Sequence, residues 1–286
     1  MEIKHWFFVI FVLAAFYLEG QVSIPLETFY EPPRSAYNML GEDRNYFKFS
    51  KNNQVEMGRY YAEAEADKRQ KSGVYSLSND NGIDFITIRW NNGENEKYLY
   101  LIADFGKESG AYLLLYKNDG EAYFEGFKSG NRSADYFSTM GFTIAASSYL
   151  TENKLSFSTE KLGTKIGECW VEGVPGNGIG EKLTLDITYY GLSSTMYISS
   201  GFVSYSKPNL YRENSRIKKI KITNQSGKST VVELADTPHY QAVNLGKHFP
   251  DHGIGSKYSM EILEVYPGTK YTDTCVNSIC FPGQVI

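Results

Sequence analysis

The sequence predicts an all-β protein in two parts, an N-terminal antiparallel meander or small barrel followed by a C-terminal jelly-roll β-sandwich. Three observations carry this. Tyr and Phe number 23 and 17 among 286 residues, an abundance of rings that suit half-buried pleated surfaces. Apolar and polar residues alternate with period two in many short runs, as where Leu183, Leu185 and Ile187 are separated by Thr184 and Asp186. Between the runs stand turn clusters such as Asn79-Asp80-Asn81-Gly82, Asn91-Asn92-Gly93 and Asn118-Asp119-Gly120, which tolerate positive φ.

At the N-terminus, Lys4 and His5 precede an apolar run over residues 6–17, followed by Leu18-Glu19-Gly20-Gln21. The run is shorter than the ~20 apolar residues a spanning helix needs, and Gly20 suits a cleavage site. Residues 1–20 therefore read as a signal peptide, with an uncleaved anchor as the alternative. The expected location is secreted or in the cell envelope, with membrane association only if the signal is retained. The rest of the chain, at roughly 100 to 200 residues per domain, suggests two domains, residues 21–148 and 149–286.

In the first domain the expected strands are residues 46–50, 58–64, 73–78, 83–90, 97–104, 111–117 and 121–127, the last two forming a hairpin around the Asn-Asp-Gly turn. Tyr98-Leu99-Tyr100-Leu101-Ile102 is apolar on both faces, which implies a sheet covered on both sides or curled into a barrel. Its aromatic interior would either fill a small core or hold a small ligand.

The second domain is expected to place strands at residues 183–187, 196–202, 216–223, 230–234, 242–245, 258–265 and 275–281. Ile217, Ile220 and Ile222 break alternation by one residue, and a bulge at Lys218 or Lys219 would return all three to one face. Antiparallel strands with long loops between them fit a jelly roll.

A net charge of −4 provides no basic excess, so neither nucleic acid nor an anionic membrane is the expected partner. Residues 173–180 are glycine-rich but lack the Gly-Lys-Ser/Thr of a P-loop and the Gly-x-Gly-x-x-Gly spacing, since Glu181 stands three places after Gly178. They also lead into a strand, where a phosphate cradle needs a helix. They read instead as a loop bending sharply into that strand.

Four blocks in order identify the second half: residues 169–181, Cys-Trp-Val-Glu-Gly-Val-Pro-Gly-Asn-Gly-Ile-Gly-Glu; residues 210–218, Leu-Tyr-Arg-Glu-Asn-Ser-Arg-Ile-Lys; residues 233–238, Glu-Leu-Ala-Asp-Thr-Pro; and residues 265–275, Val-Tyr-Pro-Gly-Thr-Lys-Tyr-Thr-Asp-Thr-Cys. Together they resemble the discoidin-like, factor V/VIII type C domain named after the translocation region of a bacterial NAD glycohydrolase, a glycan-binding module. The chain departs from that pattern at Ser200-Gly201-Phe202, where Asn-Gly-Tyr is expected. The resemblance implies the jelly roll independently of the strand pattern, and a glycan or glycoconjugate as partner. The first half resembles no family we can name.

Sugars present apolar C–H faces beside hydroxyls, so their sites combine an aromatic platform with carboxylate, amide or guanidinium groups. Trp170, Glu172, Asn177, Glu181, Asn214 and Arg216 have that chemistry and lie in the matching blocks. They are the ligand-binding candidates, Trp170 as stacking platform. The alternative is structural, with Trp170 bracing the core and Glu181 paired to Arg216.

Three cysteines leave at least one unpaired. Cys275 and Cys280 are too far apart on an extended strand to bond and could pair only if the chain turns between them, whereas Cys169 and Cys275 lie in matching blocks and form either a bridge or two buried thiols. No cofactor is expected, apart from the structural calcium that discoidin-like domains often carry. His239, His248 and His252 with Asp251 are the nearest approach to a metal cluster, but Pro250 and Gly253 oppose the regular helix that would align them. No metal ligand is assigned. No nucleophile elbow or zinc-protease motif occurs and no catalytic residue is assigned, which favours carbohydrate binding without catalysis over a secreted glycan-active enzyme with an N-terminal catalytic domain.

Overall fold

The structure, a computed structural model, describes residues 28–31, 44–60, 71–105, 110–128, 136–138, 141–189 and 193–283, and the expected signal peptide lies outside them. Eight antiparallel strands close into a barrel in sequence order: β1 (Thr28–Glu31), β2 (Arg44–Ser50), β3 (Gln54–Tyr60), β4 (Lys71–Asp80), β5 (Ile83–Trp90), β6 (Asn95–Asp104), β7 (Ala111–Tyr116) and β8 (Phe124–Lys128), which pairs with β1. Ile86, Ile88, Trp90, Tyr98 and Tyr100 join the interior cluster with Phe47, Phe49 and Tyr75, while Phe85, Leu99 and Leu101 belong to a second apolar cluster outside it. Both faces of β5 and β6 are covered, which is why both are apolar.

Rings fill the interior. Phe47 meets Phe124 edge-on at 4.9 Å, and Phe49 meets Tyr75 at 5.3 Å. The carboxylate of Glu96 accepts from the Trp90 indole N–H at 2.7 Å and the Tyr98 hydroxyl at 2.6 Å, and pairs with Lys117 at 2.9 Å. Burial opposes its ionisation, but these donors win and hold its pKa below the ordinary value.

Two expectations for the barrel change. The third strand spans Gln54–Tyr60 rather than 58–64, and β1 carries too little pattern to be anticipated. The 118–120 turn is not tight either, because the β7–β8 ladder stops at Leu115 and Phe124. Asp119 is drawn away to accept from the Tyr205 backbone N–H at 2.6 Å and the Ser204 hydroxyl at 3.1 Å, and Gly120 bridges to Ile166.

The rest of the chain forms β9 (Tyr136–Ser138), β10 (Phe142–Ala146), the hairpin β11 (Thr151–Glu152) and β12 (Leu155–Ser156), β13 (Trp170–Val171), β14 (Lys182–Ile187), β15 (Thr195–Ser200), α1 (Asn209–Glu213), β16 (Ser215–Asn224), β17 (Ser229–Glu233), β18 (Gln241–Asn244), α2 (Leu245–His248), β19 (Lys257–Tyr266) and β20 (Thr274–Gly283). A ten-stranded sheet runs β10-β14-β19-β16-β20-β15-β18, with β9 and β13 on β20 and β17 on β16. It encloses a core that includes Trp170, Leu185, Met196, Ile222, Met260 and Phe281. This is the expected all-β, jelly-roll-like architecture. The bulge is present too: the β16–β19 register shifts on either side of Lys219, and Ile217, Ile220 and Ile222 all enter the core.

The two parts share a junction. Phe85, Leu99, Leu101 and Tyr112 of the barrel pack with Tyr197, Val203, Tyr211 and Tyr240 from the second part. His239 reaches across: its Nε2 lies 3.0 Å from Asp84 Oδ2, its Nδ1 accepts from the Ile102 backbone N–H at 3.3 Å, and its ring stacks on Tyr100. Those roles require the tautomer protonated at Nε2. The β5–β6 ladder ends at Phe85 and Leu99, and beyond it the Tyr240 backbone N–H donates to the Ile102 carbonyl at 3.0 Å. A segment of the second part thus continues the sheet where β5 leaves it. The second sheet also takes up β9 and β10, which lie before residue 149 in the chain.

Candidate functional site at one end of the second sheet

Register sends four connections to the same end of this sheet. Ala146 pairs with Leu183, Lys182 with Glu261, Arg216 with Tyr266, and Ser215 with Thr274 in parallel. Residues 147–150, 172–181, 201–214 and 267–273 therefore emerge together. All six ligand-binding candidates lie on or beside these loops or at their roots, Arg216 at the start of β16, so the structure gathers them into one region.

Trp170 is fully buried in the core and its indole N–H donates to the Ser148 carbonyl at 3.0 Å. No ring face is open, so Trp170 is not available as the expected stacking platform. Glu172 is also fully buried, accepting from the backbone N–H of Val174 at 2.8 Å and of Thr274 at 3.4 Å. Burial pushes its pKa up against those two donors. The Asn177 carbonyl accepts from the Thr274 hydroxyl at 2.8 Å, and Glu181 accepts from the hydroxyls of Ser147 and Ser148.

Asn214 closes α1 by donating its amide to the Leu210 carbonyl at 2.9 Å. Arg216 does not pair with Glu181. Its Nε and Nη2 grip Asp236 at 2.9 and 3.1 Å, its Nη1 donates to the Asn214 carbonyl at 2.7 Å, and Arg212 joins the same carboxylate. Burial works against the Asp236 charge, but the two guanidinium groups outweigh it and hold the carboxyl below its ordinary pKa. Asp236 belongs to a matching block, yet nothing in its spacing marks it as the arginine's partner.

The accessible chemistry at this end comes from other residues. Tyr149 is 50% exposed, Ile179 58% and Tyr271 39%. Tyr149 abuts the glycine loop, since a Cβ on Gly173 would lie 2.5 Å from the Tyr149 carbonyl oxygen. Tyr271 is held by its backbone N–H donating to the Glu213 carbonyl at 2.8 Å, and Lys270 Nζ lies 4.8 Å from its ring centroid. Nearby, burial and then the Glu152 charge push the Asp273 carboxyl up. Aromatic faces thus stand beside carboxylate and ammonium groups on braced loops. Tyr271 lies in one of the matching blocks and Tyr149 in none of them, and no local pattern marks either ring as exposed.

Gly268 is the tightest brace, because a Cβ there would collide with the carbonyl oxygens of Tyr271 and Glu213. Gly268→Ala is expected to lower stability by about 1–3 kcal/mol, measured by urea unfolding, with Tyr271 displaced. An unchanged midpoint would show that the loop relaxes freely.

The histidines are dispersed: His239 joins Asp84, His248 Nδ1 lies 3.2 Å from the Thr230 hydroxyl, and His252 Nδ1 lies 2.9 Å from the Tyr258 hydroxyl. Among the described residues no three His, Cys, Asp or Glu side chains converge as metal ligands.

The sequence model of the NAD glycohydrolase translocation F5/8 type C domain matches residues 135–282, just over half of the chain. No curated protein matches. Among solved structures, the cryo-EM structure of the arabinofuranosyltransferase AftD from Mycobacteria is similar in two classes of one mutant, both at 12% identity, with TM-scores of 0.35 and 0.36. The matched region covers 65% of this chain and spans 13% of the mycobacterial one.

Proposed function

This chain belongs to the NAD glycohydrolase translocation F5/8 type C domain family, a module of carbohydrate-binding or translocation type, and we propose that it binds glycans without catalysis, outside the cytoplasm, at a cell surface or envelope. The observation that carries this reading is the exposure of Tyr149 and Tyr271 on braced loops at one end of the second sheet. Their rings can cover the C–H face of a sugar while Asp273, Glu213 and Lys270 meet its hydroxyls. Sugar hydroxyls exchange water for protein partners with little net gain. Single-site affinity is therefore modest and gains from multivalent display.

The ring-filled barrel interior supports a non-catalytic first part over a glycan-active enzyme. Its interior carboxylate Glu96 is committed to Trp90, Tyr98 and Lys117, which leaves it unsuited to acid–base work.

The test is a glycan array probed with the full chain, followed by the Tyr149→Ala, Tyr271→Ala double variant. Both positions are exposed, so the variant is expected to stay folded while binding falls at least tenfold. An array with no ligand for the folded wild type would overturn the carbohydrate reading; undiminished binding by the variant would remove these two rings from the site.

A further inference from the structure

We infer that Cys169 and Cys275 join as a disulfide when the chain folds in an oxidising environment, and that Cys280 remains a free thiol. Cys169 and Cys275 are fully buried and share one small cluster with Val171, flanked by Leu150, Phe157 and Phe202. Strands β13 and β20 pair with Val171 opposite Cys275 and Trp170 opposite Val276. Cys169 immediately precedes β13, so both cysteines lie beside the β13–β20 pairing and meet in its buried cluster. Cys280 sits in a different cluster, against the barrel with Tyr112, Tyr116 and Tyr240. The odd number of cysteines thus resolves into one pair and one isolated residue.

The bond would sit beneath the candidate binding loops. The glycine loop leaves β13 directly after Val171, and residues 267–273 enter β20 just before Thr274. Glu172 and Thr274 already exchange backbone contacts there, the Glu172 N–H donating to the Thr274 carbonyl at 3.2 Å. A covalent link from Cys275, next to Thr274, to Cys169, three residues before Glu172, fixes the roots of both loops. It also closes roughly a hundred residues of chain, which restricts the unfolded state strongly.

The chemistry needs a two-electron oxidant, here a small-molecule disulfide such as oxidised glutathione. Two S–H bonds break and one S–S bond forms. Two electrons and two protons pass to the oxidant, whose own disulfide opens to two thiols. In the folded reduced chain both sulfurs are shielded from solvent, and burial pushes the Cys169 thiol far from its reactive thiolate form. Oxidation therefore belongs to folding, before β13 settles on β20.

The full chain, unfolded with reductant and refolded in a glutathione redox buffer, would be denatured and labelled with a maleimide. The expected mass shows one label per chain without reduction and three after it, with the Cys169 and Cys275 peptides linked. A Cys280→Ala variant treated in the same way should take no label before reduction. Oxidised protein should melt several degrees above reduced protein, a difference that disappears in Cys275→Ala. Three labels on the unreduced wild-type chain, or a link through Cys280, would overturn the assignment; neither outcome bears on glycan binding.

Discussion

Trp170→Ala is expected to reduce the free energy of unfolding by about 3–5 kcal/mol, the usual cost of deleting a buried large aromatic. The ring is fully enclosed by the sandwich core, so its removal leaves a cavity, and the Ser148 carbonyl loses its indole donor. Trp170→Phe separates the two contributions. It keeps most of the packing but strands the Ser148 carbonyl, for an expected loss of about 1–3 kcal/mol. Urea unfolding measures both. Where the alanine variant remains folded it should bind any glycan as the wild type does, because no face of Trp170 meets solvent. A Trp170→Ala protein of wild-type stability that had lost binding would reverse this assignment and return the ring to the site.

The second large effect is expected at Arg216. Breaking a buried ion pair from one side typically costs about 3–5 kcal/mol, and Arg216→Ala removes the donors to Asp236 and to the Asn214 and Tyr211 carbonyls together. Arg212 remains on the carboxylate and softens the loss. Lys cannot restore the two-pronged contact, so Arg216→Lys should recover only part of it.

The pH dependence has a definite sign. Asp236 has a folded pKa below its unfolded one, so its contribution is present above about pH 4 and disappears as pH falls through the depressed folded value. The stability gap between wild type and Arg216→Ala should therefore narrow in acid. A gap that stayed constant from neutral pH to about pH 2 would mean that the Asp236 charge is not what Arg216 stabilises.

Short-range pattern carried much of the architecture. The alternation of Leu183, Leu185 and Ile187 places β14 with one face on the core, and the misfit of Ile217, Ile220 and Ile222 predicts a bulge at Lys218 or Lys219, where the β16–β19 register shifts. The four blocks suffice to name the family. Each is a local property, because strand period, turn chemistry and bulges involve residues within a few positions of one another.

Local pattern specifies an all-β chain with a discoidin-like second half, and the fold then brings that family's loops to one end of the second sheet. Tertiary structure alone decided which residues at that end face water. It buried Trp170 and exposed Tyr149 and Tyr271, gave Arg216 to Asp236 rather than to Glu181, loosened the 118–120 turn by engaging Asp119 with Tyr205, and sent His239 to Asp84 in the barrel. The physical reason is common to all of these. Burial and ion pairing depend on where distant segments meet, and a ring suited to either a core or a sugar has the same local signature until its neighbours are in place.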